Sequence, residues 1–444
     1  MDAFIKGTLV LVIAAFAGEC LEFFVNMILA RELGEHGMGM YMSILPFIFF
    51  VVVISSLELP ISISKFVAEK SKEYHYSMLH HAMKLTIKVT IMVLMLLGVI
   101  LPFLPIFRDY HPFVRYLLFL LVPIIAFSSL TRGYFMGIQQ MNKIVAAQFI
   151  RKVIQLAVLF LVFRWFQFKP ETSLFVAMAT LVASEAVVFL YLITHYILQV
   201  RILKQVNGVH MTGKEVRKNL LSVSLPTTGL RIFHAITNAI EPFLIKGALM
   251  AAGLSGVAAT GQYGLLAGVA MSIGFFPAFI SHSLLVALLP NVSEAYSKGD
   301  MKRLRILLQQ SMWATFIYGI PAVILMYFFA DPLTHLFFHS LQAPIFLQLL
   351  WPYFLFHFFI HPLQAYLIGL GLVKDAFYHS VWANLVSFAM MYWLGSMDNL
   401  QMTGIILGMN MGILLQTMLH YLTICRKIGL TIFLIKAKKP MNEL

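Results

Sequence analysis

The sequence predicts an all-α polytopic membrane protein. About twelve transmembrane helices are expected, in two six-helix bundles related by a pseudo-two-fold axis along the membrane normal. Three observations predict it: an apolar composition, the recurrence of long apolar runs, and a likeness between the two halves of the chain. Hydrophobic residues make up 60% of the 444 and charged residues only 11%, against roughly 25% charged in an ordinary soluble domain. A chain of this kind buries most of its surface in lipid. The net charge of +13 does not point to nucleic acid, because the basic residues fall in short clusters between apolar runs.

The runs follow one another near residues 7–30, 41–63, 85–106, 113–136, 144–163, 173–199, 220–248, 262–289, 306–329, 344–369, 376–395 and 403–425. Each is about 20 residues or longer, enough to cross the hydrocarbon core as a helix. The first follows a single lysine, Lys6, with no small-residue cleavage site behind it, so it reads as a first span and not a removed signal. The stretch from Pro332 to Ser340 is apolar but too short to cross and is expected in the interface. With the N-terminus inside, about 25 Lys and Arg fall on the cytoplasmic side and about 5 outside. Both termini are therefore expected in the cytoplasm.

The longest polar loop, 200–219, separates a first bundle over 1–199 from a second over 220–426, and residues 427–444 read as a basic interfacial tail. The halves echo each other. Gly39-Met40-Tyr41 parallels Gly261-Gln262-Tyr263, Val67-Ala68-Glu69 parallels Val292-Ser293-Glu294, and YFMGIQQMNK from Tyr134 parallels YLIGLGLVKD from Tyr366. Repeats with an even number of spans share one orientation and typically enclose a cleft.

Charged residues inside apolar runs are the candidate site, because such residues nearly always face a cavity or a partner. In FAGECLEFFVN, Glu19 and Glu22 are three residues apart and share a helical face. Glu241 stands near Glu19's position in the repeat, and Arg231 and Lys246 lie on the same seventh span. These five are the expected substrate- or ion-binding residues. Pro226 and Pro242 suggest kinks beside Arg231 and Glu241. Arg132, Gln139 and Glu58 lie near helix ends, where a cytoplasmic gate or a headgroup contact is expected. Glu185 reads equally well as cavity or structural charge. The alternative throughout is a set of static salt bridges.

Cys20 and Cys425 lie in separate apolar runs without metal-ligand spacing and read as small buried hydrophobes. The sequence shows no Gly-Lys-Ser/Thr phosphate loop and no hydrolase constellation. Neither an enzyme nor a cofactor is expected, and energy for transport must come from an ion gradient, the membrane potential or the substrate's own gradient.

The stretches KGTLVLVIAAF, ARELGEHGMGMYM, LPISISKFVAEKSK, SSLTRGYFMGIQQM, SLPTTGLRIFHAITNAIEPF and ATGQYGLLAGVAM resemble the stage V sporulation protein B family. That family belongs to the polysaccharide branch of the multidrug/oligosaccharidyl-lipid/polysaccharide exporter superfamily. The resemblance implies a two-lobed exporter, a monomer, in the cytoplasmic membrane of an endospore-forming bacterium. It further implies translocation of an undecaprenyl-pyrophosphate-linked saccharide, such as a peptidoglycan precursor, with membrane lipids as surroundings. Arg132, Gly133, Tyr134, Phe135, Gly137 and Gln139 match the family's fourth helix. Pro226, Thr227, Thr228, Gly229, Arg231, Glu241 and Pro242 match its seventh, and Arg31 matches the end of its first.

The chain departs from the family in its first span. Glu19 and Asn26 stand where the family pattern has arginines, and Glu22 where it has a glycine. Three readings follow. Arg231 and Lys246 bind an anionic lipid while Glu19 or Glu22 carries H⁺ or Na⁺; or the cavity exports a cation or neutral amphiphile; or the chain is a non-transporting membrane partner.

Overall fold

A computed structural model describes residues 3–205, 209–340 and 342–431, and among the described residues the chain is helical with no β-strand. The interfacial tail expected at 427–444 lies almost wholly outside them, as does part of the 200–219 loop.

Helix α1 (Ala3–Ser56) carries the first two apolar runs, broken at Gly34, whose φ of 66° and ψ of −179° are non-helical. Glycine serves there because it accepts positive φ without a Cβ penalty. Helix α2 (Leu59–Glu69) follows after Leu57 and Glu58, both left-handed at φ 46° and 45°. Two adjacent non-glycine residues in that region are held there by their surroundings. The apolar stretch Ala15–Glu69 is 55 residues long, ~80 Å as helix, more than two hydrocarbon thicknesses.

Next come α3 (Lys72–Ile100), α4 (Val114–Gly137), α5 (Met141–Trp165) and α6 (Pro170–Leu203). Helix α7 (Gly213–Ala251) runs as one helix through positions 226 and 242. Both α6 and α7 run further into the polar loop than apolar length alone suggests, since a charged helix continues freely in water. Short helices α8 (Gly256–Tyr263) and α9 (Met271–Gly274) flank a π-helical turn, Gly264–Ala270, and lead to α10 (Ala278–Ser297).

Helix α11 (Met301–Phe328) is followed by α12 (Ala330–Phe338), the short helix of the Pro332–Ser340 stretch. Helices α13 (Ala343–Leu349) and α14 (Trp351–Gly369) form an apolar pair bent by 53°, just before Pro352, whose ring cannot continue a regular helix. Helices α15 (Val373–Gly395) and α16 (Met402–Ile428) close the described chain.

Among the described residues nine helices are long and apolar enough to cross a membrane, or ten with the bent pair. Helices α7 and α15 also have the length but are more polar, carrying Arg231 and His234, and His379 and Asn384. Together with the two runs inside Ala15–Glu69, and with α8 to α10 as one interrupted run, these segments are the twelve expected from the sequence.

By packing, the chain separates into two compact units: Met1–Gly39 with Glu241–Leu444, and Met40–Ile240. The units follow side-chain packing, whereas the boundary at 200–219 follows loop polarity; the division into bundles at that loop remains a proposal. In the continuous unit (40–240) α4 packs on α2, α3 and α6, and α5 on α6. In the split unit (1–39 with 241–444) α14 packs on α10, α11 and α16, and α15 on α16. Its core includes Leu288, Val292, Leu308, Leu363, Tyr366 and Ile424.

The repeat has a physical counterpart. A Cβ placed on Gly137 would lie 2.5 Å from the Val67 Cβ, and one on Gly369 would lie 2.8 Å from the Val292 Cγ1. The glycine of YFMG thus packs on the valine of VAE, and the glycine of YLIG on the valine of VSE. Gly133, one turn before Gly137, would put a Cβ 2.9 Å from Pro60 and Ile63. Small residues four apart let two helix backbones approach closely where no hydrophobic effect drives them together.

Candidate functional site

Among the described residues of the continuous unit, a short ion pair joins α7 to the break before α2. Arg231 donates from Nη1 to Glu58 Oε1 at 2.6 Å. The Glu58 side chain is 5% exposed and that of Arg231 is 50% exposed. The carboxylate is therefore an internal anchor, and the guanidinium keeps free surface while its Cζ sits 5.7 Å from the Phe49 ring centre. Sequence position placed Glu58 near a helix end and suggested a headgroup contact; the structure places it inside the unit against Arg231. The left-handed backbone at Leu57 and Glu58 turns the chain so that α2 can start there. Ser224 and Thr228, two turns and one turn before Arg231 on α7, bury hydroxyls that have no hydrogen-bond partner, so this stretch of α7 carries more polarity than its packing satisfies.

A second charged group joins α4, α5 and α6. Arg132 Nη2 lies 3.6 Å from Glu185 Oε2, and Arg151 Nε lies 3.5 Å from Glu185 Oε1. Arg132 was singled out by its motif, and Glu185 by its place in a span. Arg151 read only as one more cytoplasmic cation, and its position one turn after Gln148 within a long helix was the available signal. Gln139 ends α4 in the left-handed conformation, φ 59°, and is exposed. Its N–H and that of Gln140 return to the Met136 and Phe135 carbonyls, a helix-terminating arrangement.

In the split unit, Glu19 and Glu22 are half-buried on α1. Glu19 shares a helical face with Phe16 and Phe23. Phe16 meets Phe276 and Phe279, and Phe23 meets Phe276, Phe337 and Phe338, with ring centres 5.1–6.0 Å apart. One of the two carboxylates thus stands in a stripe of aromatic packing. Arg31, two turns beyond Phe24, donates from Nε to the Phe337 carbonyl at 2.8 Å and from Nη2 to the Leu336 carbonyl at 2.5 Å. It lines a cavity of about 450 Å³ with Glu35, Met38, Leu265, Phe338 and His339.

Glu241 opens the C-terminal part of the split unit, within electrostatic reach of the Tyr353 phenol. Lys246, a turn further on, sits with Nζ 5.1 Å from the Phe243 ring centre. Tyr353 stacks on His357 at 6.0 Å, His357 meets His361 at 5.3 Å, and His361 meets His282 of α10 at 5.7 Å. This imidazole row was missed in the sequence; the spacing of Tyr353, His357 and His361, four apart on one helix face, was its signal. Among the described residues no group of three His, Cys, Asp or Glu is placed to hold a metal ion. Cys20 and Cys425 are free thiols.

Arg231 meets Glu58, a partner that the sequence did not suggest, and Arg132 meets Glu185. Chemically, the continuous unit offers guanidinium groups held beside carboxylates, one of them half exposed, suited to an anion. The split unit offers carboxylates, phenol and imidazoles, suited to a cation or a proton.

Comparison with known proteins bears on these clusters. A family model described as polysaccharide biosynthesis protein matches residues 4–296, and a second, MatE, matches residues 247–393. The chain is 57% identical over 434 residues to sporulation protein YkvU of Bacillus subtilis (strain 168), covering 98% of each. It is 32% identical over 443 residues to stage V sporulation protein B of the same organism, covering 97% of this chain and 85% of that one. Among solved structures it is similar to an inward-facing multidrug resistance MATE family transporter of the MOP superfamily, with a TM-score of 0.72 at 16% identity, covering 92% of this chain and 94% of that one.

Proposed function

The chain belongs to the polysaccharide biosynthesis protein family, and from that premise we propose that it flips an undecaprenyl-pyrophosphate-linked saccharide across the bacterial cytoplasmic membrane by alternating access. It is a multi-pass membrane transporter with the two-lobed fold of the MOP superfamily, and not an enzyme. The saccharide, the membrane and the cytoplasmic placement of both termini are part of the proposal.

One observation carries the reading: the guanidinium of Arg231, fixed by buried Glu58 and still half exposed on α7, the helix that the sequence reads as the seventh span. An exposed cation within a span is costly unless it serves a ligand or a water-filled path. A pyrophosphate suits a guanidinium because two of its oxygens match the planar donor fork. Glu19 and Glu22 then carry the coupling H⁺ or Na⁺. A second reading, export of a cationic amphiphile, draws on those same two carboxylates, which would repel a pyrophosphate placed beside them.

The test is translocation of a labelled undecaprenyl-pyrophosphoryl saccharide in reconstituted liposomes. Wild type is expected to move the lipid, Arg231→Ala to slow it at least tenfold, and Glu19→Gln with Glu22→Gln to remove its dependence on an ion gradient. If wild type moves no lipid with any headgroup offered, the reading fails. Export of amphiphilic cations driven by H⁺ or Na⁺ would then establish the second.

A further inference from the structure

We propose that Arg132, Arg151 and Glu185 form an oxyanion-binding site for a phosphate or pyrophosphate group, in which the two guanidinium groups are the ligands and Glu185 is the carboxylate that the anion displaces. The site is separate from Arg231 and Glu58, and it does not depend on what the chain transports.

The geometry is that of a held donor set whose Arg132 edge is unfilled. Each Glu185 oxygen faces one arginine, at 3.5 and 3.6 Å. Charge-assisted N–H···O bonds settle at about 2.7–2.9 Å, so these contacts are charge neighbours and not closed hydrogen bonds. Arg132 Nε, Arg132 Nη2 and Glu185 Oε2 are all buried without a hydrogen-bond partner. Nε and Nη2 form one edge of a single guanidinium, the edge that grips two oxygens of a planar or tetrahedral oxyanion. Arg151 holds its place by donating to Gln148 Oε1 at 3.3 Å.

Charge points the same way. Two guanidinium groups against one carboxylate leave one net positive charge within three apolar helices, where an unbalanced charge is costly. A static triad would close its hydrogen bonds, because buried unsatisfied donors lose their hydration without return. The three side chains remain 23, 19 and 16% exposed through their other atoms, and the anion gains the buried Arg132 edge by displacing Glu185. A carboxylate offers two oxygens and already stands there as Glu185. A phosphate offers three or more, enough to fill the Arg132 fork and reach Arg151 together.

The experiment follows the thermal midpoint of purified protein against ligand concentration, since a ligand bound to the folded state raises it. One arm uses inorganic pyrophosphate in detergent without phospholipid. The other uses nanodiscs of phosphatidylcholine with and without phosphatidic acid. Protection by free pyrophosphate means that a soluble anion suffices; protection confined to phosphatidic acid discs means that a lipid headgroup supplies the phosphate, and both uphold the site. Glu185→Gln is expected to tighten binding about tenfold, because it removes the competing charge, while Arg132→Lys and Arg151→Lys weaken it about tenfold, because they keep charge but lose the fork. Should a lysine variant not give monodisperse protein, Glu185→Gln carries the test by itself, as its expected change is a gain. The proposal is overturned if neither phosphate source raises the midpoint of wild type or of Glu185→Gln, or if all four proteins respond alike.

Discussion

Arg231 and Glu58 stand 173 positions apart in the chain and meet at 2.6 Å. Their exposures are unequal, at 50% and 5%, and this makes the two truncations unequal as well. Arg231→Ala leaves a buried carboxylate without its counter-charge, whereas Glu58→Gln leaves a guanidinium that water can solvate. The first is expected to destabilise by about 1–3 kcal/mol and the second by less than about 1 kcal/mol. A double-mutant cycle read by thermal or denaturant unfolding in detergent checks it. Equal losses would mean that the carboxylate is solvated after all.

Gly137→Ala and Gly369→Ala are expected to act alike, because each added Cβ meets a valine, at 2.5 and 2.8 Å. Those separations are too short for two carbons, so α2 and α4, or α10 and α14, must part. About 1–3 kcal/mol is lost in each case. Val67→Ala is expected to recover part of the loss in Gly137→Ala, and Val292→Ala part of that in Gly369→Ala. Without recovery, the close approach is not the cause.

Gln139→Gly relieves a left-handed backbone at an exposed helix end. Stability is expected to rise by about 0.5–1 kcal/mol. The same variant separates the two roles open to Gln139. Unchanged lipid translocation together with the gain assigns it to ending α4; a fall in translocation assigns it to a gate.

Arg31→Ala removes two donors from the carbonyls of Leu336 and Phe337, the end of α12. A loss of about 1 kcal/mol is expected. Arg31→Lys should restore less than half of it, since an ammonium does not reach two adjacent carbonyls with a planar fork. Faster hydrogen exchange confined to α12 is the readout that ties the loss to this contact.

The expected orientation is checked with single cysteines in a chain whose Cys20 and Cys425 are replaced by serine. A membrane-impermeant maleimide added to intact cells should label Gln167→Cys and leave Gly299→Cys unlabelled until the membrane is opened. The reverse pattern would invert the topology, against a bias of about 25 to 5 in basic residues.

The membrane class, the span positions and the family were legible because each depends on local chemistry. A helix in lipid must satisfy its own backbone and present about 20 apolar residues, and both requirements are written consecutively in the chain. The repeat was legible for a related reason: Gly137 and Val67, like Gly369 and Val292, are motif residues that recur in order. The charged residues of the candidate site were also visible singly, since a carboxylate or guanidinium in an apolar run stands out by composition.

What each of those charges touches was decided by tertiary structure. No spacing rule joins Arg231 to Glu58, and helix periodicity reaches only a turn or two along one segment. The same holds for Arg132, Arg151 and Glu185, which come from three helices, and for the row of imidazoles, which needs α10 beside α14. The continuous run of α7 past positions 226 and 242 was likewise hidden, because proline propensity is a local preference that packing can override. By itself the sequence determined the protein's solvent, its spans and its family, since those depend on each segment's own transfer energy. The tertiary structure decided which charges are anchors and which remain available, because that depends on which helices pack together.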